Sequence, residues 1–442
     1  MDNRDNDSDD IMDVESLLKL TPEALEFYRR IINSKQEEDD EEELEDEYNE
    51  TLEIDSRISA SGINSMYFRK NNGKGQTGLP FNAFIEDERF GSTVKCTPER
   101  IHAYFDRFIV GQEETKETLA VEIYEHLKRM EIPGMEKSNI LLVGPTGSGK
   151  TLFARCLARM LGVPFTIADA SALTEAGYIG QDVESILTPL IQETHGDIEK
   201  VEKAVVFIDE IDKIAKNDSR GSDVSRLGVQ QGLLKLLEGS IVSVPSNKAA
   251  MVGKGVHVDV DTSNILFICG GAFPGLENIV EKRSNDSSIG FFATQLSKTE
   301  RKERLYREAT TEDFETFGML PEFMGRFPTI SFLDPLTKDT YRKILTEPEN
   351  SVMKQFQRSF EYEDAILTLT EDAMDAIAEK ASKMGTGARA LRAILDNVLR
   401  KVMYKLPSIS GRKMVVVTEE NVMNGTVPEI GIVDEDTEKR KA

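Results

Sequence analysis

The chain has 442 residues, a hydrophobic fraction of 39% and a formal net charge of −25. That length allows two or three domains with sizeable cores, and the acidic balance argues against direct contact with nucleic acid. No apolar stretch approaches the roughly 18 residues of a membrane-spanning helix, and the acidic amino terminus resembles neither a secretory signal nor a transit peptide. We therefore expect a cytoplasmic protein that does not contact membranes.

The first 97 residues differ in composition from the rest. Residues 1–55 contain 22 acidic and 5 basic residues, a balance whose self-repulsion predicts a largely disordered segment. Apolar residues at helical spacing over 11–32 predict short helices within it, either a docking element or a marginal helical pair that rests on the main body. Residues 56–97, rich in Gly, Asn and Ser, are typical of a linker.

Alternating strands and helices dominate residues 98–334. Short apolar runs predict strands at 139–143, 163–168, 204–208, 264–268 and 328–332. The helical patterns between them predict an α/β domain in which a parallel sheet is wrapped by helices. Ligands of such sheets bind at the carboxyl ends of the strands.

A glycine-rich loop follows the first of these runs, and Leu152 opens the apolar helical pattern behind it. The loop consists of Gly144, Pro145, Thr146, Gly147, Ser148, Gly149, Lys150 and Thr151. The amides of such a loop surround phosphate oxygens at a helix N-terminus. Lys150 would reach the β- and γ-phosphates, and the Thr151 hydroxyl would help to hold Mg²⁺. The loop therefore predicts binding of a nucleoside triphosphate.

Two adjacent acids end the strand predicted at 204–208. Asp209 would hold magnesium through water, and Glu210 would activate the water that attacks the γ-phosphate. An apolar run that ends in two acids is common by itself. Together with the glycine-rich loop, it predicts hydrolysis of the nucleotide as well as binding.

Beyond Asp334-Pro335 the predicted strands stop. Helical periodicity over 336–405 and an apolar run at 413–417 predict a smaller, mainly helical α+β domain over 335–425. Residues 426–442 are expected to form a charged tail.

From about 98 to 425, the chain resembles the ClpX-like AAA+ unfoldases of the Clp/Hsp100 family. The segments that carry the resemblance are 229–239, 265–273, 318–327 and 387–389. The resemblance implies a P-loop large domain over 98–334 and a homo-hexameric ring that uses ATP and Mg²⁺ to unfold and translocate proteins. It also implies delivery of unfolded or tagged substrates to a ClpP-type protease.

The resemblance implies four further residues of the nucleotide site. Ile109 and Val110 belong to an adenine-side motif that lies between the two domains. Arg326 is offered to the nucleotide of the neighbouring subunit, whereas Arg389 contacts the γ-phosphate in its own subunit. Taken alone, either arginine would more often form a surface salt bridge.

Two other motifs are implied to contact proteins. Tyr178 and Ile179 resemble the pore loop that grips a translocating polypeptide, although a lone tyrosine between glycines is usually an ordinary turn residue. Ile289, Gly290 and Phe291 resemble the loop tip that docks on the protease. The alternative for this tip is that it folds back onto its own subunit.

The chain departs from the family pattern in three places. The family usually begins with a four-cysteine zinc domain, whereas Cys96, Cys156 and Cys269 are widely spaced and predict neither a disulfide framework nor a zinc site. The basic pore-entrance motif keeps single residues without a contiguous basic triplet: Lys248, Lys254 and His257. The strand expected to carry the first sensor is predicted to end at Cys269, and no sensor residue is assigned.

Three alternative functions remain open on the sequence. The chain could remodel protein complexes without a protease, or it could be a scaffold whose assembly is set by nucleotide; Asp209, Glu210 and Arg326 argue against the scaffold. An HslU-like unfoldase would need a large inserted domain, for which the 57 residues between Thr151 and Asp209 leave no room.

Overall fold

The computed structural model describes most of the chain beyond residue 83. The described ranges are 84–87, 92–132, 134–174, 181–216, 223–246, 256–287 and 304–432. Several predicted features lie outside these residues: the acidic segment 1–55, Tyr178 and Ile179, Ile289, Gly290 and Phe291, and Lys248 and Lys254.

Strands and helices alternate up to residue 332, as the sequence predicts. The strands are β1 (Phe84–Asp87), β2 (Ser92–Lys95), β3 (Ile140–Val143), β4 (Phe165–Asp169), β5 (Leu173–Thr174), β6 (Gln181–Asp182), β7 (Val205–Asp209), β8 (Ile241–Ser246), β9 (Val256–Asp261), β10 (Leu266–Gly271) and β11 (Thr329–Phe332). The helices are α1 (Pro98–Asp106), α2 (Glu113–Arg129), α3 (Lys150–Leu161), α4 (Thr188–Glu193), α5 (Ile198–Val201), α6 (Asp223–Glu238), α7 (Leu276–Ser287), α8 (Thr311–Phe317) and α9 (Pro321–Met324).

Five strands form one parallel sheet in the order β11-β3-β10-β7-β4. Each predicted apolar run overlaps one of these strands, so the predicted α/β fold is confirmed. Because the strands are parallel, the ends of β3 and β7 lie at the same side of the sheet, which we call the carboxyl edge. The beginnings of the strands lie at the opposite side, the amino edge.

The sheet is covered on both faces, which explains its continuous apolar runs. In β3, Leu141 and Val143 pack into the core on one face, whereas Ile140 and Leu142 pack into the core on the other. None of the four side chains is more than 1% exposed. The strand that precedes the glycine-rich loop is therefore held on both sides.

A second, smaller domain follows β11. Its helices are α10 (Lys338–Thr346), α11 (Val352–Glu361), α12 (Glu371–Met384), α13 (Arg389–Lys405) and α14 (Glu419–Asn424), and its strands are β12 (Ala365–Leu369), β13 (Lys413–Val417) and β14 (Ile430–Ile432). Apolar residues of these elements form a core of their own.

The three strands of the small domain correct the sequence analysis. The run at 413–417 is a strand as predicted, but it pairs in parallel with β12 and antiparallel with β14. The interpretation of 336–405 as wholly helical was wrong at β12, where a five-residue buried run is too short for its period to distinguish strand from helix. Strand β14 lies beyond residue 425, at which the small domain was expected to end.

Part of the predicted linker has regular structure. Strands β1 and β2 pair antiparallel, with Phe84 opposite Lys95, inside the segment expected to be a linker over 56–97. The three cysteines are free and buried, in agreement with the prediction of no disulfide. Among the residues that the structure describes, no helix combines the length and the apolarity needed to cross a membrane.

Candidate functional site

The glycine-rich loop lies at the carboxyl edge, between β3 and α3. Gly147 and Gly149 have φ values of 78° and 110°, in the left-handed region that only glycine adopts without strain. The loop leads into the first turn of α3, whose amides have no partners inside the helix. The Ser148 hydroxyl is buried without a hydrogen-bond partner. These unpaired donors make the loop suitable for phosphate oxygens.

Lys150 lies inside this loop. Its side chain is buried, and Nζ donates to the carbonyl oxygens of Gly144 at 2.7 Å and Pro145 at 2.9 Å. Burial lowers the pKa of Lys150, whereas the carboxylates of Asp209 and Asp212 act in the opposite direction. An ammonium group held on loop carbonyls, close to two acids, is well placed to meet the negative charge of a phosphate.

Thr151 and Asp209 come together although 57 residues separate them. The Thr151 hydroxyl Oγ1 donates to Asp209 Oδ2 at 3.2 Å, because α3 begins beside the end of β7. A hydroxyl and a carboxylate are hard oxygen ligands of the kind that Mg²⁺ prefers. The two residues therefore fit a magnesium ion.

Glu210 follows Asp209 in an unusual backbone conformation. Its φ is 55°, which is rare for a residue other than glycine, and its amide donates to Asp209 Oδ1 at 2.9 Å. The side chain is exposed and borders a cavity of about 430 Å³. The other residues that line this cavity are Ala170, Ser171, Leu173, Thr174, Lys213, Ile214, Arg226 and Val229. The carboxylate can therefore meet water, although no residue of the glycine-rich loop lines this cavity.

Asp212 is a member of this site that the sequence analysis missed. It is buried, and its Oδ1 accepts the Ala272 amide just after β10 at 3.1 Å. Its position three residues after Asp209 was the available signal. Strand β10 itself ends later than predicted, because it continues past Cys269 to Gly271. Its last two residues, Gly270 and Gly271, lie against the rings of Phe207 and Phe273.

The small domain closes over the loop. The Ala388 amide donates to the Gly147 carbonyl oxygen at 3.2 Å, and Arg389 begins α13 immediately afterwards. The positive charge of Arg389 contributes to the lowered pKa of Lys150. The structure thus places Arg389 beside the loop, and its contact with the γ-phosphate stays a prediction.

The predicted adenine-side residues lie next to the junction of the two domains. Ile109 is buried and Val110 is half-buried. Two residues further on, the Gln112 side chain pairs with the backbone of Asp334, donating to its oxygen at 2.9 Å and accepting from its amide at 2.8 Å. The segment that contains Ile109 and Val110 is therefore fixed to the start of the link to the small domain.

Arg326 lies away from the loop, at the amino edge. Its Nη2 pairs with Glu238 Oε1 at 2.5 Å, and both side chains are a little under half exposed. Its carbonyl oxygen accepts from Asn139 Nδ2 at 3.0 Å. Asn139 precedes β3, whereas the loop follows β3, so the strand separates Arg326 from the loop by about 16 Å.

Two basic side chains lie at this amino edge, the half-buried Lys137 and the buried His126. Lys137 Nζ donates to the oxygens of Leu236 and Thr262 at 3.1 and 2.6 Å, which fixes the end of α6 that carries Glu238. Burial and the nearby Arg129 lower the pKa of Lys137 to about 7. Burial also lowers the pKa of His126 to about 3. Cations at a helix C-terminus stabilise its last carbonyls.

Comparisons with known proteins agree with this geometry. Residues 135–330 match the AAA domain (Cdc48 subfamily), and residues 336–414 match the C-terminal, D2-small domain of ClpB protein. The chain is 47% identical over 342 residues to "ATP-dependent Clp protease ATP-binding subunit ClpX" of Borrelia duttonii, covering 75% of this chain and 79% of that protein. It is 45% identical over 352 residues to the protein of the same name from Treponema denticola, covering 77% and 85%.

The two family models match both domains described above. The P-loop sheet, the small domain that reaches the loop, and the identity over about three quarters of the chain all agree. The chain belongs to the ClpX family of AAA+ ATPases.

Proposed function

We propose that this chain is an ATP-driven protein unfoldase that works as a hexameric ring and passes substrates to a ClpP-type protease. The observation that supports the chemistry best is the convergence of Lys150, Thr151, Asp209 and Glu210 at one sheet edge, with Thr151 bonded to Asp209 at 3.2 Å. The named function of the relatives from Borrelia duttonii and Treponema denticola supports the coupling to the protease.

The loop residues bind and orient the triphosphate. The amides of residues 146–151 surround its oxygens, and the Lys150 ammonium balances charge on the β- and γ-phosphates. Ile109 and Val110 hold the adenine side, where Gln112 ties their segment to Asp334. A triphosphate held in this way is positioned for in-line attack on its γ-phosphate.

Glu210 orients the attacking water and takes its proton. The carboxylate is exposed at the end of the strand that carries Asp209, so it can meet water. Magnesium, held by Thr151 and Asp209, supplies neutralisation of phosphate charge when it is bound. Arg389 stabilises the same charge from the small domain, so hydrolysis changes the contact between the two domains.

Arg326 completes the site of a neighbouring subunit. It lies at the amino edge of its own sheet, paired with Glu238 rather than directed at its own loop. An arginine at that edge serves catalysis only if a second copy brings its loop to it. This position supports a ring in which each site is made by two subunits.

The experiment that tests this function follows loss of fluorescence from a stable tagged fluorescent protein, with ATP, with and without a ClpP-type protease. Tyr178→Ala is expected to hydrolyse ATP but not to unfold the substrate, whereas Tyr178→Phe, which keeps the ring, is expected to retain unfolding. Normal unfolding by Tyr178→Ala would refute the pore-loop role.

Coupling to the protease is tested in the same assay. Phe291→Ala is expected to unfold the substrate without its degradation, and the neighbouring Phe292→Ala serves as the matched control in the same loop. Degradation that is unaffected by Phe291→Ala would contradict the docking role of Ile289, Gly290 and Phe291. Unfolding without any degradation by the wild type would instead identify a protease-independent remodeller.

A further inference from the structure

The turn at 386–388 touches the phosphate loop through backbone atoms alone. A Cβ placed on Gly387 would lie 2.4 Å from Gly147 Cα and 2.7 Å from Gly147 O. A Cβ placed on Gly147 would lie 2.6 Å from Gly387 Cα. Real Cβ atoms do not approach other atoms so closely, so both positions require glycine if the two segments are to meet as they do.

The contact is also a hydrogen-bonded one. The Ala388 amide donates to Gly147 O at 3.2 Å, and Gly387 is buried. The next residue, Arg389, opens the 17-residue helix α13, whose Leu391, Ile394 and Leu395 belong to the core of the small domain. The small domain is thus connected through one rigid helix to a point on the loop backbone.

We propose that Gly387 is a positioning residue of the nucleotide site. The absence of a side chain lets the small domain rest directly on the apex of the phosphate loop, which sets the distance from Arg389 to the γ-phosphate. The inference rests on the proposed function, because it assigns the loop to ATP and Arg389 to its γ-phosphate. Besides Arg389, the backbone of the phosphate loop itself then connects the nucleotide to the small domain.

The chain offers a matched control for this position. Gly385 and Gly387 have the same φ of 65°, so an alanine at either one carries the same left-handed backbone strain. A Cβ on Gly385 would meet nothing within 4 Å. Gly385→Ala therefore measures the strain alone, and Gly387→Ala measures the strain together with separation of the turn from the loop.

The first measurement is kinetic. Gly387→Ala is expected to lower kcat for ATP at least about tenfold relative to Gly385→Ala, because small displacements of a positioned group strongly reduce rate. The dissociation constant for ADP, which lacks the γ-phosphate, is expected to be the same in both variants. Equal kcat in the two variants, or equal losses of ATP and ADP binding in Gly387→Ala, would overturn the proposal.

The second measurement includes a test on the wild-type chain alone, which stands whether or not a variant folds. Hydrogen exchange of the wild-type chain, read in overlapping peptides that isolate the Ala388 amide, is expected to be slow and to become fast in Gly387→Ala but not in Gly385→Ala. Exchange of this amide at an unprotected rate in the wild type would overturn the proposal. Absence of ATP hydrolysis by the wild type, with a protected Ala388 amide, would refute the proposed function and leave the contact itself standing.

Discussion

The two edges of the large sheet are built in different ways. At the carboxyl edge, the loop, Thr151 and Asp209 fit together through close backbone approaches and hydrogen bonds, and the small domain of the same chain closes over them. At the amino edge, Lys137 and Asn139 donate hydrogen bonds to backbone carbonyls, while the exposed Arg326 side chain pairs with Glu238. The parts of the carboxyl edge contact one another within the chain, whereas the amino edge presents the Arg326 side chain outward.

This difference indicates how one fold can link chemistry to assembly. Positioning a phosphate needs a rigid site whose parts are present before ATP arrives. The role proposed for Arg326 in a neighbouring subunit needs a firm backbone and a side chain that can exchange one partner for another. The buried polar groups under Arg326 provide that firmness, and its ion pair with Glu238 is of the exposed kind that is weak enough to be exchanged.

Removal of the Arg326 side chain is the most severe test of the difference between the two sheet edges. Arg326→Ala is expected to lower ATP turnover about a thousandfold, because an arginine supplied to a phosphoryl transition state has at least this effect. Phosphate release measures the turnover, and a fluorescent ATP analogue measures binding, which is expected to remain. Turnover close to that of the wild type would show that Arg326 is only a surface residue.

The matching change at the carboxyl edge is Glu210→Gln. It is expected to lower turnover about a hundredfold or more while ATP binding persists, because it removes only the general base. The same two assays measure it. Retained turnover would contradict the role given to Glu210.

Mixing subunits of these two variants tests directly whether Arg326 acts on the site of a neighbouring subunit. A subunit with Arg326→Ala keeps its own Glu210 and can receive Arg326 from a Glu210→Gln neighbour, so the mixture is expected to be more active than either variant. The control mixture pairs Glu210→Gln with the double variant, in which no site has an intact Glu210. Equal activity of both mixtures would mean that Arg326 does not act between subunits.

Acid is expected to weaken the amino edge. The folded pKa of His126 is about 3, below the ordinary value near 6.5, so the unfolded chain takes up the proton first and stability falls as the pH drops below about 6.5. Between pH 7 and pH 5 the loss from this residue is about 2 kcal/mol. Denaturant unfolding of the wild type and His126→Gln measures it, and equal pH dependence in the two would contradict it.

The smallest effect is expected from the outward ion pair itself. Glu238→Gln removes the partner of Arg326 within the chain, and we expect the free energy of unfolding to change by less than about 1 kcal/mol, since both side chains are nearly half exposed. Denaturant unfolding is the measurement. A loss of several kcal/mol would show that the pair holds the amino edge together.

Local sequence patterns predict those features of this molecule that are formed by residues close together in the sequence. The five apolar runs predict the sheet because strands covered on both faces must be apolar throughout, and the loop with Asp209 and Glu210 predicts the site because its chemistry requires those residue types in order. Strand β12 was missed because its five residues are too few to show a period.

Contacts between distant segments leave no such pattern. Asn139 reaches the carbonyl of Arg326 across 187 positions, and nothing near either residue indicates the pairing. The same holds for Gly147 and Gly387, since a glycine in a turn is ordinary and only the packed structure shows that both must be glycine. His126 has the sequence context of any histidine on an amphipathic helix.

The left-handed backbone of Glu210 has a consequence for how the chain tolerates change. A residue with a side chain at φ 55° is destabilised by roughly 1 kcal/mol relative to glycine. Glycine at position 210 is therefore expected to raise the free energy of unfolding and to remove the carboxylate. Under the proposed function, the chain therefore gives up stability to place a carboxylate at position 210.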